Sequence, residues 1–135
     1  MKQLTRLVAL IGMGLFLASF FLPAIAITSE LKINGFYAFL LELSMLFYVS
    51  DGGEYAEFLF MGLTNVWILF LFIRFWRRNE RKGLTFVVIG LTLTSVVYWL
   101  YKLEDTSMLL IGFWVWAVAA VLISLSNVMK VRSSD

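Results

Sequence analysis

The sequence predicts an all-α fold: an integral membrane four-helix bundle with a short interfacial or re-entrant helix between the first and second spans. Three observations point there. Of the 135 residues, 61% are hydrophobic and only 15% charged, with a mean hydropathy of +0.90, well outside ordinary water-soluble composition. The apolar residues fall into runs near the roughly 20-residue length that a bilayer-crossing helix requires. The basic residues segregate between alternate loops. Four spans consume about 80 residues and leave only short connections, so residues 1–135 form one membrane domain.

The first span is residues 7–27, an uncharged run whose helical length of about 31 Å matches a hydrocarbon core. Pro23 falls in its last turns, where the freed carbonyls lie near the interface. Lys2 and Arg6 before the run, with Ala24-Ile25-Ala26 at its end, also fit a cleavable signal sequence, the rival reading of this segment. The second span, residues 57–76, ends on Arg77-Arg78, and Arg74 can snorkel toward the same surface. Residues 84–101 and 108–127 are the third and fourth spans, joined by a polar link short enough to make them a hairpin.

The segment 35–49 is apolar, too short to span comfortably, and carries Glu42 at its middle. A fifth crossing there would move the basic cluster 77–82 to the opposite side, so charge logic lays this helix on the outer face. Asp51-Gly52-Gly53-Glu54 then reads as a turn. With a cytoplasmic amino terminus, nine Lys and Arg lie inside and only Lys32 and Lys102 outside. That bias predicts a multi-pass protein of the cell inner membrane with both termini cytoplasmic, and disfavours insertion in two orientations.

Composition also restricts the chemistry. With no Cys and no His, thiol nucleophiles, disulfides, imidazole bases and Cys/His metal sites are excluded. The four spans carry no ionisable residue in their interiors, where proton-coupled pumps normally need one. There is no phosphate-binding glycine loop, nucleophile elbow or metal-spaced carboxylate pair. The chain therefore reads as non-enzymatic, with no cofactor and no metal.

Four residues are candidates for interaction. Asn65 lies midway between Glu57 and Arg74, near the predicted bilayer centre, beside Thr64 and one turn after Gly62. An amide there must find a partner inside the protein. The first reading is an interhelical hydrogen bond, the second a ligand or ion contact. Gly35, Ala38 and Glu42, followed by Met45, form the least bulky stripe of the outer helix. That stripe either floats at headgroup level with Glu42 pointing outward, docks a partner helix, or closes an outward cavity over Asn65.

Other features carry blander readings. Thr92, Thr94, Ser95, Ser124 and Ser126 can bond backbone carbonyls a turn back. The small residues Gly14 and Ala18, Gly90 and Thr94, and Gly112, Ala119 and Ser126 are candidates to pack this bundle, or else to bind another protein. Trp76, Tyr98, Trp99, Tyr101 and Trp114 suit the headgroup layer. Arg74, Arg77, Arg78, Arg81 and Lys82 serve positive-inside topology and are candidate contacts for anionic lipid, at about 1 kcal/mol per charge. No nucleic-acid partner is implied, because the cluster is short and lacks an accompanying fold.

Phe21-Leu22-Pro23-Ala24, Gly35-x-x-Ala38-Phe39-Leu40, Thr64-Asn65 and Gly112-Phe113-Trp114-x-Trp116 together resemble an uncharacterised family of small bacterial four-helix inner-membrane proteins. Glu42 stands where that pattern has glycine. The resemblance implies the fold and supplies no activity. The polar inventory predicts a partner-binding or accessory subunit, with membrane lipids and another membrane protein or a second copy of itself as partners. An immunity protein against a membrane-active toxin, and a small channel or carrier, are the alternatives.

Overall fold

The computed structural model describes residues 2–26, 30–48, 63–77, 82–102 and 109–132. Helix α1 (Lys2–Ser19) leads into an antiparallel hairpin of β1 (Pro23–Ala26) and β2 (Lys32–Asn34), followed by α2 (Gly35–Tyr48), α3 (Thr64–Trp76), α4 (Lys82–Lys102) and α5 (Ile111–Arg132). The described chain is mostly helical. The small sheet corrects the all-α expectation.

The sheet arises within the apolar run 7–27, where hydropathy predicts continuous helix. Helix α1 stops at Ser19. The Phe20 N–H then bonds the Leu17 carbonyl at 3.2 Å and the Phe21 N–H bonds that of Ala18 at 3.1 Å, a tightened last turn. Pro23 has no N–H to continue the helix, and its ring pushes Leu22 out of the α region. The chain leaves extended and pairs Pro23 with Asn34, Ile25 with Ile33 and Ala26 with Lys32, with an irregular step between Pro23 and Ile25. Hydropathy alone does not separate helix from strand over so short a stretch.

Asn34 converts the hairpin into α2. Its Oδ1 accepts the Tyr37 N–H at 3.0 Å, the N-cap bond that satisfies one orphan donor of the new helix. The Gly35 and Phe36 N–H groups bond the Leu22 and Phe20 carbonyls, each at 3.1 Å, and tie α2 to the end of α1. The hairpin is also joined to α5: Ile25 bridges Leu109, and the Leu110 N–H bonds the Ala24 carbonyl at 2.9 Å. The turn expected at 51–54 and the start of the predicted second span, 57–62, lie outside the described residues.

Side-chain bonds fix the helix directions. Asn65 meets Trp116, Asn127 meets Leu71 and Lys130 meets Phe75, so α3 and α5 run parallel. Gly12 lies against Ile123 and Gly112 against Leu22 and Pro23, so α1 is antiparallel to α5. The Arg74 Nε donates to Thr85 Oγ1 at 3.1 Å, which places α4 antiparallel to α3. Four helices therefore alternate in direction. One end gathers Arg6, Arg74, Arg77, Lys82, Lys130 and Arg132, while the other carries the hairpin. Lys130 closes the basic end of α3 by donating to the carbonyls of Phe75 at 2.5 Å and Arg77 at 2.9 Å.

The interior is built from Phe16 of α1, Ile68 and Leu71 of α3, Val88 and Val96 of α4, and Ala119, Ala120 and Ile123 of α5. Polar residues share it: Thr5, Ser19, Thr85, Thr92, Ser95, Ser126 and Asn127 are buried, while Leu4, Leu7, Leu10, Ile11 and Leu17 on α1 and Phe86, Val87 and Val97 on α4 are exposed. On α1 the buried set Thr5, Ala9, Gly12, Phe16 and Ser19 recurs at alternating steps of four and three. This is the reverse of an amphipathic helix in water. By length and composition, Lys82–Tyr101 and Ile111–Arg132 can each cross a membrane, and α1 and α3 supply shorter apolar helices.

Candidate functional site

At the hairpin end the helices do not close completely. They leave a cleft of about 430 Å³ including its open mouth. It is a narrow slot. The walls are Ser19 and Phe20 from the end of α1, Ala24 and Ile25 from β1, Asn65 from α3, Trp99 from α4, and Gly112, Phe113 and Trp116 from α5. Gly35, Ala38 and Phe39 of α2 add a further wall.

Each wall follows from local sequence. Phe16, Phe20 and Phe39 make a chain of ring contacts, with centroids 5.0 Å apart for Phe16 with Phe20 and 6.0 Å for Phe20 with Phe39. Phe113 and Trp116, three apart on one face of α5, lie 5.4 Å apart. Two glycines allow the backbones to converge. A Cβ on Gly112 would lie 2.8 Å from the carbonyl oxygens of Leu22 and Pro23, and one on Gly35 would collide with the Ser19 carbonyl. The Ser19 hydroxyl donates to Phe16 O at 2.6 Å.

Asn65 is the polar centre. It is 5% exposed, and its Oδ1 accepts the Trp116 indole N–H at 2.7 Å. Because an indole nitrogen can only donate, the amide orientation is chemically fixed. The two N–H groups of Nδ2 make no hydrogen bond with any described residue. The Trp67 indole N–H and the Ser124 hydroxyl are sealed without partners; the Asn65 nitrogen is not sealed, and the residue lines the cleft.

The structure thus brings Gly35, Ala38 and Asn65 to one cleft. The side chains of Glu42 and Met45 lie outside the described residues. Asn65 is level with Trp116, in the second turn of α5, and shares the cleft with Trp99, near the end of α4.

The basic candidates stand at the opposite end. Arg74 is half-buried, bonded to Thr85, with its guanidinium 5.7 Å from the Phe70 ring centroid. Arg77 and Lys82 are exposed, and Arg78 and Arg81 lie outside the described residues. Of the small-residue pairs, Gly14 with Ala18 and Gly90 with Thr94 face outward and form no seam among the described residues. Gly112, Ala119 and Ser126 are buried in α5. The α1 seam is at Gly12, where a Cβ would meet Ile123 Cγ1 at 2.9 Å.

Asn127 was not singled out from sequence. It is buried, and its Nδ2 donates to Leu71 O at 3.2 Å and to Ile123 O at 2.9 Å. The signal was available: a second amide in an apolar helix, subject to the same demand for partners as Asn65. Trp116 was read only as part of a short motif.

Comparison of the chain with family models, with curated proteins and with solved structures gave no match.

Proposed function

We propose that this chain is a multi-pass protein of the cell inner membrane, with both termini cytoplasmic, that works as a non-enzymatic partner-binding or accessory subunit. The membrane assignment is supported by helices that expose Leu, Ile, Val and Phe and bury Thr, Ser and Asn. In water that arrangement would leave a large apolar surface uncovered, whereas lipid solvates it and small or polar residues hold helices together. Sidedness is supported by the clustering of Arg6, Arg74, Arg77, Lys82, Lys130 and Arg132 at one end, which positive-inside topology places in the cytoplasm.

The observation that carries the partner reading is the two-sidedness of α2. Gly35 and Ala38 face the protein's own cleft, which leaves Phe36, Tyr37 and Leu40 exposed at the hairpin end. Exposed aromatic side chains beside an apolar neighbour suit a recognition surface, because they bury much area at little entropic cost. Among the described residues the cleft lining carries no ionisable group, and the hydroxyl there, on Ser19, is committed to a backbone carbonyl. Recognition fits that inventory better than turnover does.

A photo-crosslinking amino acid in place of Tyr37 or Leu40, activated in cells, tests this reading. We expect a discrete protein adduct from both positions and none from Val97, exposed on α4. Lipid adducts alone from all three positions would overturn the partner role.

A further inference from the structure

We propose that the cleft at the hairpin end holds the ester end of one acyl chain of a membrane glycerolipid, with the Asn65 amide donating to its carbonyl oxygen. The inference rests on the reading of the helices as bilayer-spanning. It starts from the unused donors. Nδ2 of Asn65 belongs to a side chain 5% exposed, makes no hydrogen bond with a described residue, and lines a slot otherwise walled by apolar and aromatic groups. An unmet donor in such surroundings is costly, so the matching occupant presents a hydrogen-bond acceptor.

The rest of the lining restricts that acceptor. Among the described lining residues there is no lysine, arginine, aspartate or glutamate, so none of them offers a counter-charge to a phosphate or carboxylate, or an anion to an amine. What remains is a neutral acceptor on an apolar body. Phe20, Phe39, Phe113 and Trp116 offer rings to such a body, and the narrow slot between them suits a slender chain better than a broad ring system. A partner helix fits less well, because its backbone carbonyls are engaged in its own ladder.

Depth singles out the ester. The slot lies among the last turn of α1, the last turns of α4 and the first two turns of α5, about 8 Å or less from the hairpin end of α5 at 1.5 Å per residue. That level is where the apolar core gives way to the headgroup region, and glycerolipid ester carbonyls lie there. Gly35, Ala38 and Phe39 cover the slot from α2, so the lipid would sit between the helices and the outer helix.

The test compares a diester phosphatidylethanolamine with its diether analogue of the same chain length, titrated onto the purified full-length protein in detergent and read by native mass spectrometry. We expect the ester lipid to bind more tightly by on the order of 5-fold, the weight of one neutral hydrogen bond. Asn65→Leu should erase that preference. Ala38→Trp should fill the slot and weaken both lipids while leaving the Asn65–Trp116 bond in place, with melting temperature reporting whether each variant folds. Equal binding of the two lipids by the wild type, which requires no variant, overturns the proposal. So does an undiminished ester preference in folded Asn65→Leu. If Ala38→Trp removes a protein crosslink but leaves lipid binding intact, the slot takes a partner helix and the lipid assignment is wrong. These measurements use protein without partners, so loss of the Tyr37 crosslink would leave them standing.

Discussion

Asn65 and Asn127 are both buried amides on facing parallel helices, and in both links α5 donates and α3 accepts. Asn65 accepts from an α5 side chain, whereas Asn127 donates to an α3 carbonyl. In a double-mutant cycle of Asn65→Leu with Trp116→Phe, unfolding in detergent should show a coupling of about 0.6–2 kcal/mol; additive effects would mean that the 2.7 Å bond contributes nothing. Ser124 provides a contrast. Its hydroxyl is buried without a partner, while Thr92, Ser95 and Ser126 bond Val88, Leu91 and Ile123 carbonyls at 2.8 Å. Ser124→Ala should therefore leave the melting temperature unchanged or raise it, and Ser126→Ala should lower it by the equivalent of about 1 kcal/mol. The need for partners at Asn65 was legible from its position in an apolar run. The same rule applied to Asn127, but that residue sat at the margin of the counted span, where an amide could equally reach water. Which indole would meet Asn65 was not legible, because Trp116 and Asn65 are far apart in sequence and the pairing depends on how α3 and α5 dock.

The glycines show how element boundaries and helix contacts are set by close backbone approach, which sequence spacing reports poorly. Gly14 and Gly90 look like seam residues by their spacing, yet added Cβ atoms there would meet nothing within 4 Å. Alanine at either site should stabilise by up to about 1 kcal/mol, since it restricts the unfolded backbone and meets no obstacle. Gly112 and Gly35 behave oppositely, because their obstacles are carbonyls of the α1–β1 segment that cannot swing aside. Alanine there should cost about 1–3 kcal/mol and open the cleft at its hairpin wall. Thermal melts of the four single variants check the ranking, and a Gly112→Ala protein as stable as wild type would mean that the hairpin is not held against α5. The start of α2 is legible because Asn34 and Gly35 stand where its apolar run begins. The end of α1 was not, because the unbroken hydropathy of residues 7–27 concealed the competing backbone demand of Pro23.

At the scale of the whole molecule, direction and charge can be tested against each other. The side-chain contacts make α1, α3, α4 and α5 alternate in direction without reference to charge. The resulting geometry collects the described basic residues other than Lys32 and Lys102 at one end. Sequence reading reached the same segregation from loop charges alone, while the way the helices pack and the cap of hairpin and α2 came only with tertiary contacts. The absence of native cysteine makes sidedness directly measurable. Lys32 lies exposed on β2 and Tyr101 exposed near the end of α4, both at the hairpin end, whereas Arg132 is exposed at the basic end of α5. In intact cells, Lys32→Cys and Tyr101→Cys should react with a membrane-impermeant maleimide, and Arg132→Cys should react only after the membrane is permeabilised. A soluble cytoplasmic protein would protect all three cysteines until permeabilisation. An inverted bundle would label Arg132→Cys alone, and the loss of one crossing would separate Lys32 from Tyr101. Only the alternating arrangement with its basic end in the cytoplasm labels the first two and protects the third, because the bilayer, rather than local packing, then separates residues that are all exposed on the protein itself.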